Sequence, residues 1–504
     1  MKQYEMFELT YQAAEPEGSH VHVDLQAVFT HNGKETQVKG FYAGDGNYKI
    51  RFYPSEAGNY HVRVNGIVQD EQDITCEPAS NAKGMVRACG THFKYDNGEW
   101  YYPFGTTVYG LIHQTQELME QTFETLEKAP FNKIRFCIFP KHYDYNHNDP
   151  EVYAFEGSTD NWDMNHPCFT YWDRLEARIA QMDRMGMQCD IILFHSYDRW
   201  GFAKLSMKQT RDYLEYLTRR LAAYPNVWWS LANEYDIMQY TMQQWEEIEE
   251  YVSEHDPFDH LLSNHQMVHP WDFSRENVTH ICTQIKDVDN IKHDIQKYRK
   301  PMLVDECRYE GNIPYEWGNL SGFEMVNRFW KVVCQGGYCT HGETFLDPAD
   351  ILWWAKGGTL HGQSPERILF LRELTESFPG PLTFAGRTMT EEDVRKSLEH
   401  PGDELKNSTM YQVMLHCTPK EVVDFVEKFQ GFYASCEDEV FLRYYETQCT
   451  AVGLMELPTE HTYDIEVIDV WNMTRTKVLS GVNGAVKVEL PGREGMALLA
   501  TKNN

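Results

Sequence analysis

Two short runs hold the residues best placed to do chemistry: Trp228-Trp229-Ser230-Leu231-Ala232-Asn233-Glu234 and Lys300-Pro301-Met302-Leu303-Val304-Asp305-Glu306. Each is a mostly apolar stretch of strand length that ends in a carboxylate. Paired carboxylates are what cleavage of a glycosidic bond requires. One protonates the departing oxygen, and the other attacks the sugar or activates water. Carboxyl groups about 5–5.5 Å apart serve direct attack, and a gap above about 6.5 Å leaves room for water. A carboxyl in a partly apolar, Trp-lined wall tends to keep its proton and act as an acid. One beside a cation stays ionised, and Arg135, in Ile134-Arg135-Phe136, is the candidate for that cation. Taken singly, each glutamate reads as a solvated loop acid; the case rests on the pair.

Something must bring the two together, and the middle of the chain supplies it. From about 84 to 385, short apolar runs alternate with longer helical stretches, the βα pattern of a parallel sheet. Eight candidate strands fall at 102–108, 133–139, 189–194, 227–232, 261–264, 280–283, 302–304 and 337–340. Helices are expected over 171–185, 208–223 and 243–254. Eight repeats across some 300 residues fit a (β/α)8 TIM barrel. A doubly wound open sheet is the runner-up, but no GxGxxG or GxxxxGK[ST] loop follows any strand. In a barrel the catalytic groups sit at the C-terminal strand ends. Glu234 ends the fourth strand and Glu306 the seventh, nearly opposite each other.

The flanks read differently. Residues 1–80 alternate apolar and polar positions, as in Tyr48-Lys49-Ile50-Arg51-Phe52-Tyr53, with turns at Asn32-Gly33 and Asp45-Gly46. Residues 405–504 return to alternation, as in Val440-Phe441-Leu442-Arg443-Tyr444-Tyr445, behind a polar connector at 390–407. The expected fold class is therefore multi-domain α/β plus all-β. A central (β/α)8 barrel (84–385) lies between an immunoglobulin-like N-terminal β-sandwich (1–80) and a C-terminal β-sandwich (405–504).

Lys plus Arg number 46 against 76 Asp plus Glu, a formal net charge of -30. Such a chain repels phosphate backbones and anionic lipid, which argues against nucleic acid and membrane partners and for a neutral substrate such as a sugar. The start, Met1-Lys2-Gln3-Tyr4-Glu5, shows no secretory leader, and the 12 cysteines are scattered without CxxC pairs. Both features read as a cytoplasmic protein with reduced thiols, a secreted mature form being the alternative. A homo-oligomer is left open.

Further residues at strand ends are candidates for the cleft wall: His113 after strand one, His195 and Trp200 after strand three, and Glu343, Trp353 and Trp354 after strand eight. Trp offers a sugar a flat face and an N–H donor, although any one Trp is about as often core. A lone loop histidine usually serves a local hydrogen bond; placement just past a strand end favours His113 and His195. No metal is expected. Neither the histidines at 142 and 147 nor His341 near Glu343 gives HExxH or a calcium loop, and no cofactor motif is present. Cys307, beside Glu306, reads as packing.

With these residues in view, the chain resembles the retaining glycoside hydrolases of clan A, TIM barrels with cellulase-like relatives. They carry an Asn-Glu acid/base after strand four and a nucleophilic Glu after strand seven. Asn233-Glu234 and Glu306 match in type, order and strand number. The three-part layout also looks like bacterial members related to the apiosidase-like group. The resemblance implies Glu234 as acid/base, Glu306 as nucleophile, Arg135 as the arginine beside it, and Asn233 as the amide on the sugar 2-hydroxyl. One departure stands out. Many members place a Tyr near strand six, where this chain has His280-Ile281-Cys282-Thr283-Gln284. Gln284, Thr283, or Tyr309 from the loop after Glu306 is left to take its place. The implied function is retaining hydrolysis of an oligosaccharide or glycoside. The rivals are a non-catalytic carbohydrate-binding protein on the same fold and a transglycosylase.

Overall fold

The structure is a computed structural model describing residues 1–386, 389–427 and 431–503. The chain folds into two compact units. The first is residues 1–288, 293–326 and 337–372, and the second is 289–292, 327–336 and 373–504.

The first unit opens with two antiparallel sheets. One is formed by Phe7–Gln12, Asn47–Phe52 and Phe41–Tyr42, the other by Lys34–Lys39, Leu25–His31, Gly58–Gly66 and Asp70–Cys76. Their inner faces are the apolar halves of the alternation, with Phe29 stacked on Phe52 at 3.9 Å between ring centroids. Asn32 and Gly33 both take positive φ, 50° and 79°, in a two-residue hairpin loop whose twist matches the strands it joins.

The barrel follows. Its strands are β1 (Phe104–Thr107), β2 (Lys133–Cys137), β3 (Gln188–His195), β4 (Val227–Asn233), β5 (Leu262–Ser263), β6 (Ile281–Gln284), β7 (Met302–Glu306) and β8 (Tyr338–His341). All eight coincide with the apolar runs read from the sequence. They pair in parallel in the order β5-β4-β3-β2-β1-β8-β7-β6. The remaining seam closes through Thr279 N–H donating to Leu262 O at 2.9 Å and the Ser263 hydroxyl donating to His280 O at 2.7 Å. The helices Phe169–Arg184, Met207–Leu221 and Met242–His255 lie where the periodicity expects them. The last two open with full capping boxes, Ser206 with Gln209 and Thr241 with Gln244.

The barrel interior is charged on one layer, and β2 shows why its sequence alternates. Ile134 and Phe136 are buried, while Lys133 binds Asp190 at 2.6 Å and Asp305 at 2.7 Å. Thr340 and Cys282 also donate to Asp305. Buried charges survive only when paired and hydrogen-bonded, so this network ties β2, β3, β6, β7 and β8 into one layer beneath the active face.

The second unit carries a six-stranded antiparallel sheet (Thr383–Phe384, Phe432–Cys436, Val440–Tyr444, Met496–Lys502, Tyr463–Asp469, Thr474–Val482). The antiparallel pair Val452–Leu457 and Gly484–Glu489, not consecutive in the chain, adds to the same core, centred on Met455, Tyr463, Ile465 and Leu498. The segment 390–407, read as a polar connector, is largely helical (Glu391–Glu399 and Asp403–Lys406), and helices Thr409–His416 and Pro419–Glu427 follow. Its few apolar residues are spaced for one helical face, and Val394, Met414 and Val422 form a small core of their own. The short windows and high polarity disguised that periodicity.

Candidate active site

At the C-terminal ends of the strands lies a pocket of about 330 Å³ lined by both glutamates. Glu234 ends β4 at a non-glycine left-handed position, φ 59° and ψ 60°. Such backbone strain concentrates at functional sites. Here it is fixed by Glu234 N–H donating to His265 Nδ1 at 3.3 Å and Tyr235 N–H donating to His265 O at 2.9 Å. The Tyr197 hydroxyl donates to Glu234 Oε2. Glu306 ends β7, and the Tyr109 hydroxyl donates to its Oε1. Arg135 Nη1 lies 3.6 Å from that oxygen, and Tyr109 is also 3.0 Å from Asn233 Oδ1.

Gln284 joins the pair. With its amide nitrogen turned toward the acids, as its neighbours dictate, it donates to Glu234 Oε1 at 3.0 Å and Glu306 Oε2 at 3.1 Å. Those two oxygens are thus no farther apart than the two bonds laid end to end.

The two carboxyls differ in charge. Burial first, then the facing Glu306 charge, pushes Glu234 up to about 7. Glu306 is held below its ordinary value. Burial works against it, but the charges around it and the Tyr109 hydrogen bond outweigh burial. His265, 3.8 Å away, would contribute most if protonated, yet burial brings its own pKa down to about 4. At neutral pH the cations that hold Glu306 ionised are therefore Arg135 and Lys141.

Of the residues expected in the cleft, the structure brings Glu234, Glu306, Asn233, Gln284, Tyr309 and Trp354 into the pocket lining, with Arg135 buried behind Glu306. Five others lie outside that lining. His113 and His195 turn back to the carbonyls of Ile138 and Phe139, both at 3.0 Å, and burial holds them neutral with pKa values about 3 and 4. Trp200 is buried with its Nε1–H on Asp149 at 2.8 Å, and Trp353 donates to Thr106 at 2.9 Å. Glu343 accepts the N–H groups of His361 and Gly362. A position just past a strand end does not say which way a side chain turns; in these five a backbone group or another side chain offered a nearer partner.

Reading the sequence did not single out Tyr109, Lys141, Tyr143, Trp317, Lys286 or Arg308, which also line the pocket, and it took His195 and Trp200 rather than Tyr197 from the run after strand three. Tyr109 follows β1 by two residues, and Tyr197 lies within the loop that drew notice to His195. Their signal was the same as that of the residues chosen. Tyr109 and Gln284 both donate to Glu306, and the Tyr309 hydroxyl lies 3.5 Å from that of Tyr109.

Ligand atoms of Glu310, His341 and Glu343 lie within 4.8 Å of one another, the one group among the described residues that could hold a metal. Its carboxylates are engaged by backbone N–H groups of residues 361–364 at the start of helix Ser364–Glu376, including Gln363 N–H on Glu310 at 2.7 Å. That arrangement caps a helix.

A (β/α)8 barrel whose fourth and seventh strands end in glutamates meeting over one pocket defines a glycoside hydrolase. Residues 88–356, more than half of the chain, match the model of the apiosidase-like catalytic domain, and the chain belongs to that family. Residues 1–66 and 429–501 match two domains of unknown function, DUF5060 and DUF5605. Among solved structures, a candidate glycoside hydrolase from Bacteroides vulgatus ATCC 8482 aligns at 29% identity and TM-score 0.86, covering 100% of this chain and 99% of that one. A glycoside hydrolase family 5 protein from the same organism shares the fold at 13% identity and TM-score 0.59, over 83% of this chain and 94% of that one. No curated protein matches the chain.

Proposed function

We propose that this glycoside hydrolase is a retaining enzyme with Glu306 as nucleophile and Glu234 as acid/base. The observation that carries the reading is the split between two carboxyls bridged by one amide: Glu234 is raised to about 7 and Glu306 is lowered. Environments that push two carboxyls apart assign acid and base.

In the first step Glu306 Oε attacks the anomeric carbon, the glycosidic C–O bond breaks, and Glu234 gives its proton to the leaving oxygen. Esterified Glu306 carries no charge. One of the causes that raises the Glu234 pKa is then gone, so Glu234 stays ionised at neutral pH and is available as the base. It removes a proton from water, the resulting hydroxide displaces Glu306, and the sugar leaves with its configuration retained. The shared reach of Gln284 supports a gap suited to direct attack. Asn233, beside Tyr109 and Glu234, presents its amide for the sugar 2-hydroxyl. Tyr143, Trp317 and Trp354 supply faces for C–H bonds.

Glu306→Ala is expected to lower kcat by about 10,000-fold or more with the fold intact, and full activity in that variant would end the proposal. In Glu234→Ala, azide should restore turnover and yield a glycosyl azide of the substrate's configuration.

A further inference from the structure

The pocket carries positive charge that cleavage of a neutral glycoside does not call for. Lys141 follows β2, separated from it by Ile138-Phe139-Pro140, and is 5% exposed. Its Nζ sits 3.4 Å from the ring centroid of Tyr109, 4.4 Å from that of Tyr197 and 4.9 Å from that of Trp354. Two of those rings are the ones that hold Glu306 and Glu234. Among the described residues this ammonium has neither a hydrogen bond nor an ion pair within 4.0 Å. Contact with aromatic faces returns only part of the hydration a buried ammonium gives up, so an ammonium lining the pocket is left in want of an acceptor.

The rim adds to this. Arg308, at φ 73°, and Lys286 both line the pocket and both engage Glu316: Arg308 Nε donates to its carbonyl at 2.8 Å, and Lys286 pairs with its carboxylate. With Glu234 protonated, three cations there face two carboxylates, Glu306 and Glu316, in a chain whose net charge is -30. The excess acidity of the whole chain is locally reversed at the site. Lys141 adds to the charge that keeps Glu306 ionised, but Arg135 and Tyr109 sit closer to that carboxylate, and the role leaves the ammonium itself without a hydrogen-bond acceptor.

We propose that the sugar held beside Glu306 bears an anionic substituent, a carboxylate or a sulfate, that forms an ion pair with Lys141 Nζ. This rests on the glycosidase reading and names its substrate class. The neutral substrate that overall charge favours is thereby replaced by an acidic one, with Lys141 as the specificity-determining residue.

The test compares three matched panels of aryl glycosides that share leaving groups: neutral sugars, uronic acids and sulfated sugars. In the wild type, the best uronic or sulfated member is expected to exceed the best neutral one at least tenfold in kcat/KM, and which of the two wins separates carboxylate from sulfate. That ratio should fall at least tenfold in Lys141→Met, mainly through KM, and be recovered in part by Lys141→Arg. A wild-type preference for neutral sugars, or an equal loss for all three panels in Lys141→Met, overturns the proposal and leaves the hydrolase reading standing. Binding is measured separately by calorimetry in Glu306→Ala, where the same anionic glycosides should bind at least tenfold tighter than the neutral ones. Equal or weaker binding overturns the proposal whether or not turnover is seen. Tighter anionic binding that weakens on adding Lys141→Met, in a wild type that cleaves none of the panels, supports the proposal and counts against the glycosidase reading alone.

Discussion

Ionisation of Glu306 at neutral pH depends on Arg135, Lys141 and Tyr109, and the last can be removed with a single atom. A hydrogen bond to a charged group is worth about 1.5–3 kcal/mol. Tyr109→Phe is therefore expected to cut kcat/KM by roughly 10–100-fold and to move the acid limb of its pH profile upward; an unchanged acid limb would show that Tyr109 only fills space. On the proposed mechanism the basic limb belongs to Glu234. Because the acid must be protonated, activity should fall as pH rises through about 7. The same shift bears on stability. A carboxyl whose folded pKa is raised contributes stability below its unfolded value, about 4.3, and loses it as pH climbs through the folded value. Glu234→Gln should thus raise the thermal midpoint relative to wild type at pH 8 while leaving little difference at pH 4, which calorimetry at the two pH values would read. Both glutamates were legible in the sequence because each closes an apolar run. Tyr109 and Lys141 were not, because a side chain that acts across a barrel has no partner near it in sequence. His113 and His195 were chosen by position alone, and the carbonyls of Ile138 and Phe139 claimed them.

At the scale of elements, the loops after β7 and β8 brace the wall beside Glu306. Glu310–Gly311 and Glu343–Thr344 pair as a short two-stranded sheet, and a Cβ on Gly342 would meet the Tyr309 ring at 2.0 Å. Overpacking of this kind costs about 1–3 kcal/mol unless the ring swings aside. Gly342→Ala should therefore lower kcat/KM together with tyrosine order in the pocket, seen in near-ultraviolet dichroism. Wild-type activity in that variant would mean that Tyr309 can move without consequence. The eight strands were legible because strands buried on both faces read as apolar runs, and β2 remained legible despite Lys133 and Arg135 because Ile134, Phe136 and Cys137 surround them. The helices between 390 and 427 were hidden by their shortness: among the described residues Val394, Met414 and Val422 are buried, with partly buried residues such as Leu398, Leu405 and Val426 packed against them.

At the scale of the whole molecule, the first unit is held together across its sandwich and barrel by charge as well as by apolar packing. Arg51, from the N-terminal sheet, and Arg220, from a barrel helix, both fork onto Glu176. Despite burial, the two arginines hold that carboxyl down at about 2. A carboxyl depressed in this way stabilises the fold above its unfolded pKa, and the contribution is lost as pH falls toward 2. Removing the charge leaves Arg51 with Glu8 and Arg220 with Asp173 as remaining partners, so Glu176→Gln is expected to destabilise the unit by about 1.5–3 kcal/mol at neutral pH, with a smaller difference at pH 3; denaturant titration at both pH values would show it. Composition spoke at this scale only as an average. The charge of -30 pointed to a neutral ligand, whereas the pocket gathers Lys141, Lys286 and Arg308 in one place.

The nucleophile is tested most directly by exposing the protein to activated 2-deoxy-2-fluoroglycosides of the sugar it cleaves best and mapping the labelled peptide by mass spectrometry. One glycosyl unit on Glu306 is the expected result. Continued turnover with Glu306 unmodified, or a label on any other side chain, would contradict it.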